Sequence, residues 1–246
     1  MRTLWIIARR EYSRYFTTPA AYLAAFLFLL VLGIIFYANI AATTMRSFMM
    51  PGSAPDISII VNPMTTLLVF IVPALTMRLL AEEQRMGTIE LLLTSPVSDA
   101  ELIIGKWLGS FLFVATLILI ALIYPVVLNQ LVSPGIDWGP VITGFLGLLL
   151  MAATLTALGT AVSALFNNQI AAFVATLAFF LLLWLLGFPS QSMGGSNLWQ
   201  YLDLSHHFYD TFARGIIDTR DIIYYLSGAA LGLFAGTVII ETRRWR

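Results

Sequence analysis

The chain has 246 residues, of which 59% are hydrophobic and 11% charged, a balance that fits a lipid-solvated protein better than a water-soluble globule. Its 13 Lys and Arg cancel its 13 Asp and Glu, so it offers no net basic field for phosphates and nucleic acid is not an expected partner. It has no cysteine, which excludes a disulfide framework, a Cys-based zinc site and a thiol nucleophile.

Residues 1–18 form an element of their own. On a helical wheel Leu4, Trp5, Ala8, Tyr12, Tyr15 and Phe16 share one face, while Arg2, Arg9, Arg10, Ser13 and Arg14 take the other and Ile6 falls out of register. The pattern predicts an amphipathic helix at the cytoplasmic membrane interface, with arginines toward the head groups. It reads either as a topology anchor or as an elbow guiding a neighbouring subunit or lipid toward the bundle.

A membrane-crossing helix needs about 20 mostly apolar residues, because roughly 30 Å of hydrocarbon is crossed at 1.5 Å per residue. Six stretches qualify: 19–42, 59–80, 102–131, 141–166, 169–188 and 222–240. The first is too long for a signal-peptide core and no small-x-small cleavage site follows it, so it reads as a retained span. Thr18 is placed to cap it and Pro19 to sit in its first turn. Pro63 and Pro73 in the second span and Pro125 in the third remove backbone hydrogen bonds and predict kinks.

The stretch 81–101 follows the second span. Glu82, Glu83, Arg85 and Glu90 surround 88–93, which is too apolar for a loop tip in water. It reads equally as a protein contact with a charged rim and as a membrane-surface hairpin linking two spans. Ser98 with Glu101 predicts a capping box for the third span, and Asp218 with Asp221 a similar start to the sixth. Small residues recur every fourth position at Ala153, Ala157 and Ala161 on the fourth span and at Gly228, Gly232 and Gly236 on the sixth. Both rows allow close helix approach, within one bundle or between copies.

The outer loop, 189–221, holds His206 and His207, with Asp210 at helical spacing and Asp203 nearby. A metal site would want further ligands and groups to fix them, so none is expected. Trp199, Tyr201, Phe208 and Tyr209 predict instead an aromatic belt at the outer interface, with the histidines at its wet edge.

With six spans both ends share one side. That side receives Arg2, Arg9, Arg10, Arg14, Arg78, Arg85, Lys106, Arg243, Arg244 and Arg246, leaving Arg46, Arg214 and Arg220 opposite. The positive-inside rule then predicts cytoplasmic termini and a cytoplasmic 81–101 loop. Between their interfacial ends the spans carry no ionisable residue, which argues against an ion-coupled carrier. The only Gly-Lys pair, Gly105-Lys106, is followed by Trp107 and is not a P-loop, so any ATPase is a separate chain.

The stretch FIVPALTMRLLAEEQRMGTIELLLTSPVSDAELIIGKWLG, residues 70–109, resembles the signature region of ABC-2 type permeases, in particular those of gliding-motility-associated systems. HHFYDTFARGIIDTRDIIYYLS, residues 206–227, resembles the same group near its last span. The motif residues are Glu83, Gly87, Thr88, Glu90, Leu91, Leu92 and, with altered spacing, Pro96. The resemblance implies an all-α permease with a single transmembrane domain, an interfacial N-terminal helix and a coupling helix after the second span. It further implies a partner ABC subunit holding ATP and magnesium, a second permease copy or homologue, and a multi-pass place in a bacterial-type cytoplasmic membrane.

The expected function is therefore the non-catalytic permease half of an ATP-driven exporter, without a cofactor of its own. Glu83, Arg85, Gly87, Thr88, Glu90, Leu91 and Leu92 are the candidate ATPase-coupling residues, and Gly228, Gly232 and Gly236 the packing residues. An auxiliary extracytoplasmic subunit is compatible with this reading. The alternative is a non-transporting scaffold that passes ATPase-driven force to envelope machinery.

Overall fold

Five helical segments are long and apolar enough to cross a membrane: Pro19–Thr43, Ser58–Arg85, Asp99–Leu131, Trp138–Leu165 and Thr219–Arg243. A sixth apolar helix, Gln169–Leu185, has 17 residues and a length of about 25 Å, somewhat less than the hydrocarbon core. The computed structural model describes residues 2–49, 57–88, 97–132, 135–185 and 203–244, so the last three positions of the expected fifth span lie outside it.

In chain order the helices are α1 (Arg2–Tyr15), α2 (Pro19–Met49), α3 (Ser58–Thr76), α4 (Ala81–Arg85), α5 (Asp99–Ile120), α6 (Ile123–Leu131), α7 (Trp138–Leu165), α8 (Gln169–Leu185), α9 (His206–Tyr209) and α10 (Thr219–Arg244). A 3-10 turn, Phe212–Arg214, precedes α10. Every regular element among the described residues is helical.

Local chemistry explains most boundaries. Pro19 opens α2, where its missing N–H costs nothing. Thr18, expected as the cap, turns the other way: its hydroxyl donates to Arg14 O and Tyr15 O, both at 3.2 Å, and so closes α1. At α5 the capping box forms as expected, Ser98 Oγ accepting from Glu101 N at 3.2 Å and the Glu101 carboxylate from Ser98 N at 3.4 Å. Asp218 accepts from Arg220 N at 2.9 Å, but Asp221 commits its Oδ1 to His207. The third span breaks between α5 and α6, around Ala121, one turn ahead of Pro125, whose ring would clash with that carbonyl in a continuous helix. Helix α3 runs through both Pro63 and Pro73.

The core is organised around α7, whose residues 151–164 are buried almost throughout. Helix α10 lies along it in the same direction: Gly228 meets Thr154, Gly232 meets the Ala157–Leu158 backbone, and Gly236 meets Ala161. The two small-residue rows thus face each other within one chain. A Cβ at Gly232 would sit 2.8 Å from backbone atoms of Ala157 and Leu158, so here only glycine permits the approach.

Helix α1 runs beside the first half of α5 for about three turns. Gly105 faces Leu4 and Ile7, Gly109 faces Ala8, Glu11 and Tyr12, and Phe113 stacks on Tyr15 at 4.7 Å. The buried face carries Ala8, Glu11 and Tyr15, whereas Trp5 and Phe16, which the wheel groups with them, are 57% and 41% exposed. A wheel separates apolar from charged residues, but here contact with α5 decides the buried face, and one buried residue is a carboxylate.

Candidate functional site

The motif stretch begins where α3 ends. From Met77 to Leu80 the chain turns, and α4 then carries Glu82, Glu83 and Arg85 before Gly87 closes it at φ +69°, a left-handed conformation that favours glycine. The first turn of α4 has free N–H groups, and α7 supplies an acceptor. Ser163 Oγ accepts from Leu80 N and Ala81 N, both at 3.2 Å, and donates to Met77 O at 3.0 Å. Gln84 Nε2 donates to Ala164 O at 2.8 Å, so α4 is tied to the C-terminal end of α7 at two places.

Glu83 points inward and is only 9% exposed. Its Oε1 accepts from Lys106 Nζ of α5 at 2.7 Å. The same ammonium donates to Leu79 O at 2.8 Å and lies 3.5 Å from Glu11 Oε2 of α1. Lys106 is 2% exposed, so this is a buried ion cluster whose cation holds three elements together. Arg14 of α1 adds an outer tie, 2.9 Å from Glu82 and 3.8 Å from Glu11.

Above this cluster Tyr15 donates to Leu75 O at 3.0 Å, and the Arg78 guanidinium lies 5.6 Å from the Tyr15 ring centroid while donating to Thr18 Oγ1 at 2.5 Å. Burial, and then the neighbouring Glu11 charge, pushes the Tyr15 phenol up, so it remains a neutral donor.

The candidate residues thus divide. Glu83 is an internal anchor. Arg85 and Gly87 are exposed at the far end of α4, and Thr88 donates from Oγ1 to Glu83 O at 3.3 Å. Glu90, Leu91 and Leu92 lie outside the described residues. Sequence reasoning missed Glu11 and the binding role of Lys106. Each carried a signal: a lone carboxylate among Ala8, Tyr12 and Tyr15, and a lone ammonium within an apolar helix, each of which needs a partner once buried. The Gly105–Gly109 pair, which admits α1, was also legible as a small-x-x-x-small spacing.

At the other end of the bundle the two histidines take separate carboxylates. His207 Nδ1 is 2.6 Å from buried Asp221, and His206 Nδ1 is 2.6 Å from exposed Asp210, which also receives Arg214 at 2.8 Å. No group of three His, Asp or Glu gathers there among the described residues. The aromatic belt needs correction. Phe208 is fully buried and Tyr209 hydrogen-bonds Thr65 of α3 at 2.7 Å, because both pack into the bundle; Trp199 and Tyr201 lie outside the described residues.

The comparison with known families covers this corner. A family model described as ABC-2 family transporter protein matches residues 5–198, from α1 through α8 and thus every residue of the α1–α4–α5–α7 junction. No curated protein matches the chain. The match takes in well over half the sequence and the apolar helices suit a bilayer: the chain belongs to the ABC-2 transporter family, as an integral membrane permease of an ABC transporter.

Proposed function

We propose that the chain is the transmembrane half of an exporter, driven by a separate ATP-binding subunit that docks on residues 81–101. In this reading both termini and that loop face the cytoplasm of a bacterial-type cell, as the arginine asymmetry favours. Two permease chains, identical or homologous, rock between inward- and outward-facing states as the partner binds and hydrolyses magnesium-ATP. Kinship with gliding-motility-associated permeases and room for an extracytoplasmic subunit belong to the same reading.

The observation that carries it is the anchoring of α4. A push on the docking loop must reach the spans, and a loop on a flexible tether would dissipate it. Here the base of the loop is bonded to α7 through Ser163 and Ala164, and to α5 and α1 through Lys106. Glu83 therefore serves as the internal anchor, while Arg85, Thr88, Glu90, Leu91 and Leu92 are assigned to the partner. An apolar anchor truncated at a well-packed interface commonly costs about 2 kcal/mol or more.

The chain lacks cysteine, which makes the test direct. Single cysteines at Thr88 and Glu90 should crosslink to the ATP-binding subunit that copurifies with this chain, and Leu92→Ala should weaken copurification while membrane insertion is kept. Crosslinks from Asn168 instead of Thr88 or Glu90 would move docking to the α7–α8 turn.

A further inference from the structure

We infer that the groove between α1 and α5 is a binding site for one anionic phospholipid. The groove has a volume of about 540 Å³ and is lined by Trp5, Arg9, Tyr12 and Ser13 of α1 and by Leu112 and Thr116 of α5. Trp5, Arg9 and Ser13 are spaced by four, so one stripe of α1 presents an indole N–H, a guanidinium and a hydroxyl. None of these three side chains has a hydrogen-bond or ionic partner among the described residues, in contrast to Arg14 and Arg78 on the inner side. Thr116 gives its proton to Leu112 O at 2.8 Å, and Tyr12 lies 3.2 Å from Thr116 Oγ1, so these two close the floor of the groove on each other.

Beyond the floor the chemistry becomes purely apolar. Leu112 and Thr116 continue on the same face of α5 as Leu119 and Ile120, at helical intervals of three and four, and Ile123 follows past the break at Ala121. Leu119, Ile120 and Ile123 are 54%, 49% and 59% exposed. Because α1 and α5 run in the same direction, the donors lie toward the start of α5 and the apolar track leads into the span. Exposed donors with no protein partner among the described residues and one positive charge at one end, and a bare apolar track at the other, match a phosphodiester head group with its acyl chains. A soluble anion would leave the track bare, and a zwitterionic lipid, though it has the same phosphodiester, brings its own ammonium, which offsets the charge that Arg9 would otherwise meet. The site is independent of transport direction and of ATPase docking.

The test uses the purified full chain, extracted from phosphatidylcholine vesicles with or without phosphatidylglycerol and weighed intact by native mass spectrometry. One retained phosphatidylglycerol per chain is expected. Arg9→Gln should lower retention roughly fivefold, the loss expected for one basic residue at an anionic surface. Arg10→Gln, on the neighbouring exposed arginine outside the groove, should leave retention unchanged, and Arg9→Lys should restore part of it. Circular dichroism of each variant establishes that the helices persist. Equal losses from Arg9→Gln and Arg10→Gln would reduce the effect to diffuse attraction and overturn the site. So would unchanged retention in Arg9→Gln, equal retention of phosphatidylcholine, or displacement of the lipid by inorganic phosphate.

Discussion

The α7–α10 seam and the α1–α4–α5 corner both bring backbones close, yet they are specified by opposite means. At the seam glycine and alanine rows interlock, with Gly232 against the Ala157–Leu158 backbone and Thr154 donating to Tyr225 O at 2.7 Å. At the corner the glycines admit α1, but what fixes α4 against α1 and α5 is charge: one lysine between two carboxylates. A seam of shape has one good arrangement and resists sliding. A knot of charge can be remade after a shift, because an ammonium on a four-carbon stem follows its partners. The difference suits a frame at the seam and, under the proposed function, a transmission at the corner.

The comparison breaks most readily at Lys106. Lys106→Met leaves Glu83 buried without a counter-charge and Glu11 with only Arg14 at 3.8 Å, and should cost about 3–5 kcal/mol, read as a drop in thermal midpoint of the purified chain. The double change Lys106→Met with Glu83→Gln should recover part of the loss. No recovery would mean that the lysine acts by volume rather than by charge.

The seam should respond to size alone. Gly232→Ala drives a Cβ to 2.8 Å from unyielding backbone and should cost about 1–3 kcal/mol. Gly236→Ala should cost clearly less, since its nearest neighbour is the Ile103 Cγ2 methyl at 3.3 Å, which can give way. Equal losses at both positions, again in thermal midpoint, would mean that the seam yields as a whole.

Much of this was legible in the sequence because a bilayer simplifies the code. Apolar length located the helices, Ser98 and Glu101 marked the start of α5, and the Gly and Ala rows announced a close approach. Periodicity could say that Gly228, Gly232 and Gly236 want a small partner but not that Ala157 supplies it, since that pairing is long-range. Glu83 misled for a related reason. In a charged loop it reads as surface, and only the return of α5 beside α4 brings Lys106 to it and turns it inward. The face of α1 was misjudged because the wheel weighs side chains in isolation, whereas Glu11 becomes tolerable inside once Lys106 is near.

The smallest expected effect sharpens the contrast within the corner itself. Arg14 and Glu82 form a 2.9 Å pair with side chains 32% and 26% exposed, so water and salt reach it. Exposed pairs of this kind contribute about 1 kcal/mol or less, and at 1 M salt the screening length falls to roughly 3 Å. Arg14→Gln should therefore lower the thermal midpoint slightly in dilute buffer and by still less in concentrated salt. The Lys106→Met loss should persist at both ionic strengths, because its ammonium and carboxylates are shielded by protein. A salt-independent Arg14→Gln loss as large as that of Lys106→Met would show that charge in this corner is not divided into a buried anchor and a screened outer tie, and that Arg14 belongs to the anchor.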